Sequence, residues 1–394
     1  MSLIPSWRWF GPQDPISLPE IRQTGATGIV TALHQIPVGE IWSVPAIRER
    51  QSLIRAAGLD WIAVESVPVH EAIKKRDGSH PPYIAAYRQT LANLGACGVA
   101  IVCYNFMPVL DWSRTELALR FDDGARASGF RLHEFAAFDL YILERPEAAQ
   151  SYSTTTAARA AQFYSGLDPA GRQKLQETIL LGLPGSGETL TLKQLQHSLD
   201  EYRDIGPARL KENLAAFLRE VVPAAAAAGV RLAIHPDDPP WSLFGLPRVV
   251  STCVDLEEIL AVVDSPHNGL TLCSGSLGAG YFNDVAEIAE KLAPRIHFAH
   301  PRNVVRSSDF SFHEERLFAG DVDIYRIMRA LVREDRRRQQ AGLADWPVPY
   351  RPDHGHAILG DEKRATYPGY PLYGRLKNLA ELRGLEEGIR RSLE

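Results

Sequence analysis

Eight short apolar runs recur along the chain, and each but the last is followed by a stretch whose apolar residues return at helical spacing. The first is WRWF (7–10), stopped by Gly11 and Pro12 and followed by SLPEIRQTG (17–25). GIVTAL (28–33) precedes the amphipathic VPAIRERQSLIRAAG (44–58), which a glycine closes. WIAVES (61–66) precedes YIAAYRQTLANLGACG (83–98), and VAIVCYNF (99–106) is rich in β-branched residues. After an interruption come RLAIHP (231–236), LTLCSG (270–275), IHFAHP (296–301) and VPYRPDH (348–354), separated by helices expected at 255–264, 283–295 and 323–338. Eight strands alternating with helices predict an α/β fold of the (β/α)8 TIM barrel kind, a single domain over residues 1–394. No GxGxxG follows the first strand, which argues against a dinucleotide-binding sheet.

The interruption runs from Met107 to Gly206, between the fourth strand and a long helix at 208–229 in which Pro223 is expected to make a kink. It contains charged helical stretches such as TLKQLQHSLDEYRDIG (191–206) and no clear parallel strand, apart from the ambiguous TILLGL (178–183). A segment of that length is too long for bare loop. It predicts a helical insertion, 107–206, that leaves the fourth strand on the active-site face and serves as a lid or a subunit contact. PGSGETL (184–190) lacks the Lys-Ser/Thr pair of a phosphate loop and is read as a plain turn.

Composition narrows the class of function. Of 394 residues, 45% are hydrophobic, enough for a large core, and the formal charge of −5 provides no footprint for nucleic acid or an anionic membrane. The four cysteines include no CxxC pair and are expected to be reduced thiols. The N-terminus lacks a signal-peptide pattern, and no segment approaches the ~20 apolar residues of a membrane span. These features point to a cytoplasmic protein with a small-molecule partner.

The candidate chemistry sits where strands end. His235, Cys273, His300 and Asp353 close the fifth to eighth runs, and barrel strands bring their C-terminal ends to one mouth. Taken singly, a strand-end histidine is a hydrogen-bonded structural residue, a cysteine a small core residue and an aspartate a turn-former. Four ligand types at equivalent ends of consecutive units instead predict a metal site with positions free for substrate. Imidazole and thiolate suit Zn2+ or Fe2+, and a carboxylate with substrate oxygens also suits Mn2+. Around this set, Arg302 and Asn303 are candidate substrate-binding residues, with an ordinary ion pair as the alternative for Arg302. Tyr370, in TYPGYPLYGR (366–375), is a candidate proton carrier, Asp237 and Asp238 are turn-formers or acceptors behind the ligands, and GSLGAG (275–280) is an anion loop or a tight turn.

The segments WRWFGPQDP, GATGIVTALHQIP, VCYNFMPVLDW, RLAIHPDDPPW, NGLTLCSGSLGA, HFAHPRNV and RPDHG together resemble mannonate dehydratase, a metal-dependent lyase of hexuronate breakdown, nearly from end to end. The resemblance implies a xylose-isomerase-like barrel, Mn2+ or Fe2+ as cofactor, and dehydration of D-mannonate to 2-dehydro-3-deoxy-D-gluconate. It matches His235, Cys273, His300 and Asp353 to the metal ligands, and His354 with Tyr370 to the catalytic pair. A homo-oligomer, dimer or tetramer, is expected. The stretch SFHEERLFAGDVD (311–323) departs from the pattern. A metal-dependent sugar isomerase on the same barrel is the alternative, although such sites are usually carboxylate-rich. A zinc endonuclease fits the acidic balance poorly. A non-catalytic sugar-acid sensor would share the pocket without turnover.

Overall fold

The computed structural model describes residues 3–181, 190–343 and 347–393. Its strands in chain order are β1 (Ile4–Arg8), β2 (Gly28–Thr31), β3 (Asp60–Glu65), β4 (Ile101–Tyr104), β5 (Glu116–Arg120), β6 (Arg126–Phe130), β7 (Arg231–Ile234), β8 (Asn268–Cys273), β9 (Ile296–His300), β10 (Asn303–Arg306), β11 (Phe312–Glu315) and β12 (Pro349–Tyr350). Eight of them close a barrel in the order β1-β12-β9-β8-β7-β4-β3-β2, with every neighbouring pair parallel. This is the TIM barrel expected from the eight apolar runs. The first strand starts earlier than WRWF, because Ile4 and Pro5 pair with Pro349 and Tyr350 to close the cylinder.

Inside the cylinder, Val30, Ala63, Ile101, Cys103 and Phe298 form a buried cluster drawn from four strands. A larger apolar layer lies between the strands and the surrounding helices. The helix Pro207–Ala227 continues through Pro223 without a break in its assignment, and its face of Leu210, Leu214, Phe217, Leu218 and Val221 is buried. A last helix, Leu372–Ser392, follows β12 and supplies the eighth α unit.

Side chains alternate along a strand, so residues two apart share a face. Phe298 in the barrel core therefore predicts an inward His300, and the two rings meet edge to face at 4.4 Å. Thr271 likewise donates inward to the Cys103 sulfur at 3.3 Å, which sets Cys273 on the same side. Phe298 is fully buried. Phe298→Ala is expected to destabilise the protein by about 3–5 kcal/mol in urea unfolding, through lost burial and the cavity beneath His300.

The segment 107–206 is not wholly helical. Its helices Leu132–Tyr141, Thr154–Ser165, Pro169–Leu180 and Leu192–Asp200 accompany the hairpin β5–β6. That hairpin joins β10 and β11 in a four-stranded antiparallel sheet ordered β10-β11-β6-β5. The pairs Phe312↔Phe130 and His313↔Gly129 tie the loop after β9 to the loop after β4. The start of TILLGL ends the helix Pro169–Leu180 and is not a strand. Nearly all of PGSGETL (184–190) lies outside the described residues. GSLGAG follows β8 as part of the short helix Ser274–Ala279, so the tight βα connection is the reading that fits. Among the described residues, no helix is long and apolar enough to cross a membrane.

Candidate active site

At the C-terminal mouth, the ligand atoms of His235, Cys273 and His300 all lie within 4.8 Å of one another. His235 donates from Nδ1 to the Pro236 carbonyl at 2.7 Å, which leaves Nε2 as the lone-pair nitrogen. His300 is fully buried and its Nε2 has no hydrogen-bond partner, a costly arrangement unless another atom takes it up. Burial, then the Arg351 charge, holds its imidazole well below the ordinary histidine range and so in the neutral, ligating form. Burial and the nearby Asp353 push the Cys273 thiol up to about 12. Such a thiol ionises only against a strong local cation, as a bound metal supplies. These three residues fit a divalent metal by donor type, separation and an orphaned nitrogen.

Asp353 stands beside this trio rather than within it. Its Oδ2 lies 3.6 Å from the Cys273 sulfur, close to the roughly 3.5 Å between two donors on a tetrahedral ion. However, Arg351 donates to Oδ1 at 2.7 Å and Arg302 to Oδ2 at 3.0 Å. Burial opposes ionisation of Asp353, but His354, Arg351 and Arg302 outweigh it and hold the carboxyl well below its usual range.

These contacts belong to one buried chain of ion pairs. Glu65 meets Arg8 at 2.6 Å and Arg351 at 2.8 Å. Asp238 meets Arg114 at 2.9 Å and Arg302 at 2.8 Å, and Glu314 meets both of those arginines at 3.0 Å. Burial by itself would raise all three carboxyls. Arg351 and Arg8 hold Glu65 low, Arg114 and Arg302 hold Asp238 low, and Arg302 with His354 brings Glu314 down to about 2. Four carboxylates and four guanidiniums thus balance around the mouth.

His354 reaches the same cavity as Asp353, although the two are sequence neighbours. That is possible because β12 ends at Tyr350, so the backbone has left strand geometry before either residue. His354 Nδ1 lies 2.9 Å from Glu314 Oε1, and with this carboxylate ionised the nitrogen donates, which leaves Nε2 as the lone-pair nitrogen. Tyr370 packs edge to face on His354 at 5.1 Å and is almost fully buried. Burial, then Asp353, raises its phenol well above the ordinary range, so it remains a proton donor at neutral pH. Gly369 has φ +80°, and a Cβ there would meet the His354 ring at 3.3 Å. Gly275 is needed for a different reason: a Cβ would collide with the Arg302 guanidinium as it crosses the loop.

The two residues expected to contact substrate are engaged very differently. Asn303 is committed to backbone: Nδ2 donates to the Leu317 and Val322 carbonyls, and Oδ1 accepts from the Val304 and Val322 amides. It braces the loop after β10 and does not line the cavity. Arg302 does line it, but its guanidinium is engaged by Asp238, Asp353 and Glu314. Asp237 accepts from the Val250 amide and the Ser251 hydroxyl, while Asp238 belongs to the ion-pair chain. Reading the sequence missed Arg8, Glu65, Arg114, Glu314 and Arg351. A signal existed for Arg8, Glu65 and Arg351, each a charge at the end of a buried run; Arg114, in a loop, and Glu314, in the short strand β11, carry none.

A profile of the family described as D-mannonate dehydratase (UxuA) matches residues 3–394. The mannonate dehydratase of Chromohalobacter salexigens is 55% identical over 386 residues, covering 98% of each chain. The mannonate dehydratase of a Marinomonas species is 50% identical over 389 residues, covering 98% of this chain and 99% of its own. Among solved structures, the mannonate dehydratase of Streptococcus suis serotype 2 superposes with a TM-score of 0.79 at 32% identity, over 100% of this chain and 96% of that one. With a full-length profile, relatives at this identity and a matching barrel in agreement, the chain belongs to the D-mannonate dehydratase family.

Proposed function

We propose that the protein dehydrates D-mannonate to 2-dehydro-3-deoxy-D-gluconate, with a divalent metal, Mn2+ or Fe2+, held by His235, Cys273 and His300 and with Asp353 as the fourth donor. The observation that carries the reading is the close trio of donors, two of them fully buried, beside His354 and Tyr370 at one barrel mouth. When bound, the metal supplies Lewis-acid stabilisation of the charge that develops on the substrate carboxylate.

Dehydration needs a base for the weakly acidic proton on carbon 2 and an acid for the hydroxyl leaving carbon 3. His354 takes the first role: Glu314 accepts from Nδ1 and so holds the tautomer that presents Nε2 as the base. Tyr370 takes the second, since its raised phenol keeps the proton until the hydroxyl departs as water. The resulting enol gains a proton at carbon 3 and becomes the 2-keto acid. Arg302 enters as the group that holds Asp353 and Asp238 in place.

The segment 107–206 serves in this reading as a cover within a single barrel domain, 1–394. Support comes from Met107, Asp111 and Trp112, which line the cavity, and from Arg114, which reaches Asp238 and Glu314. A homo-oligomer, dimer or tetramer, located in the cytoplasm completes the proposal, with light scattering as the check on assembly. The central experiment follows 2-keto acid formation from D-mannonate by purified protein. Activity is expected to vanish after chelation and to return with Mn2+ or Fe2+. Isomerised sugar in place of the keto acid, or turnover indifferent to metal, would overturn the reading.

A further inference from the structure

The cavity at the mouth opens to solvent, and its charged walls near the trio are already paired with one another. Beyond those walls, Ser66 after β3 contributes to the lining, as does the chain leaving β4, from which Asn105, Met107, Asp111 and Trp112 line it. Two of these side chains carry unspent hydrogen-bonding capacity. Trp112 is 2% exposed, and its indole Nε1 is buried with no partner. Among the described residues no ion pair joins Asp111, which accepts from the Asn105 amide at 3.4 Å and whose charge acts on the buried Arg248 guanidinium. Trp112 is at the same time held rigid, with the Arg114 guanidinium 4.8 Å over its ring and His354 edge-on at 6.2 Å. A fixed apolar ring with a spare donor, next to a carboxylate with spare acceptor sites, is the pairing that recognises a chain of C–H and O–H groups.

We infer that Asp111 and Trp112 read the hydroxyl-bearing tail of the sugar acid, carbons 4 to 6, and so set the enzyme's preference for a six-carbon aldonate over a shorter one. This rests on the proposed dehydration at carbons 2 and 3, which the metal trio, His354 and Tyr370 carry out. The Asp111 carboxylate accepts from tail hydroxyls, and the Trp112 N–H donates to one. An acid lacking those hydroxyls leaves both groups unpaired in the cavity, which is the kind of site that discriminates strongly. The position is also economical in sequence, because the segment that begins the insertion is the one that meets the tail.

The test compares kcat/KM for D-mannonate and for a four-carbon aldonate of the same configuration at carbons 2 and 3. Wild-type protein, Asp111→Asn and Trp112→Phe are assayed, with metal content measured in each. Trp112→Phe keeps an aromatic ring while removing the N–H and part of the ring volume, Asp111→Asn keeps the shape of a half-buried side chain, and metal content reports that each variant retains its site. The wild type is expected to favour the longer acid by at least about 100-fold. Each variant is expected to bind metal normally and to lose at least about 10-fold of that preference, through weaker use of D-mannonate. A wild type indifferent to chain length, a preference unchanged in both variants, or parallel losses on both acids overturns the inference alone. A wild type that fails to dehydrate D-mannonate overturns the proposed function and this inference with it.

Discussion

His354→Asn is expected to lose turnover by about 100-fold or more while keeping its metal and its KM for D-mannonate. An amide cannot take the carbon 2 proton, and loss of a positioned general base typically removes 10²–10⁴-fold of rate. The substitution is otherwise mild. The Asn side-chain nitrogen falls near the place of His354 Nδ1, so the 2.9 Å bond to Glu314 has a replacement donor. The buried Glu314 charge also keeps Arg114 and Arg302. Tyr370→Phe should behave similarly, since the phenol makes no contact with the donor trio that would hold the ion. Metal analysis, substrate affinity and single-turnover rates distinguish the roles. A His354→Asn protein stripped of metal, or one with normal turnover, would show that the division between metal shell and proton carriers is wrong.

Cys273→Ser is expected to lose at least about 100-fold in metal affinity, more than replacing an outer partner of a ligand usually costs, and to lose activity in step. A serine hydroxyl cannot supply the thiolate charge. The residues that now touch the sulfur, Ser276 at 3.0 Å, Asp353 at 3.6 Å and Arg302 at 3.8 Å, tolerate a hydroxyl in its place. Loss of metal without loss of fold is therefore the expected result, with partial recovery of activity at high Mn2+. Full metal content with normal turnover would instead leave Cys273 as a piece of buried packing.

The fold was legible because each apolar run carried its own period and stop signals, and a parallel barrel is what eight such units make. The strand-end donors were legible for a related reason. A barrel converts position along a strand into position at the mouth, so His235, Cys273 and His300 converge from distant parts of the sequence. Asp353 was partly legible: its place beside Cys273 followed from the strand end, whereas its capture by Arg351 and Arg302 did not. Asn303 looked like a site residue because it follows Arg302. It begins β10, where neighbouring side chains turn to opposite faces, and its amide is used up by the loop it braces.

What the sequence determined alone is the set of elements, their order and the chemistry available at each strand end, since these depend on local period and on residue type. What only the tertiary structure decided is the pairing of charges. Arg114, in the loop after β4, and Glu314, in the short strand β11, are 200 residues apart, and they meet because β6 and β11 pair across the mouth. Through that contact Glu314 is placed against His354. An ion pair depends on distance in space and on exclusion of water, and neither quantity is written in the order of residues along the chain.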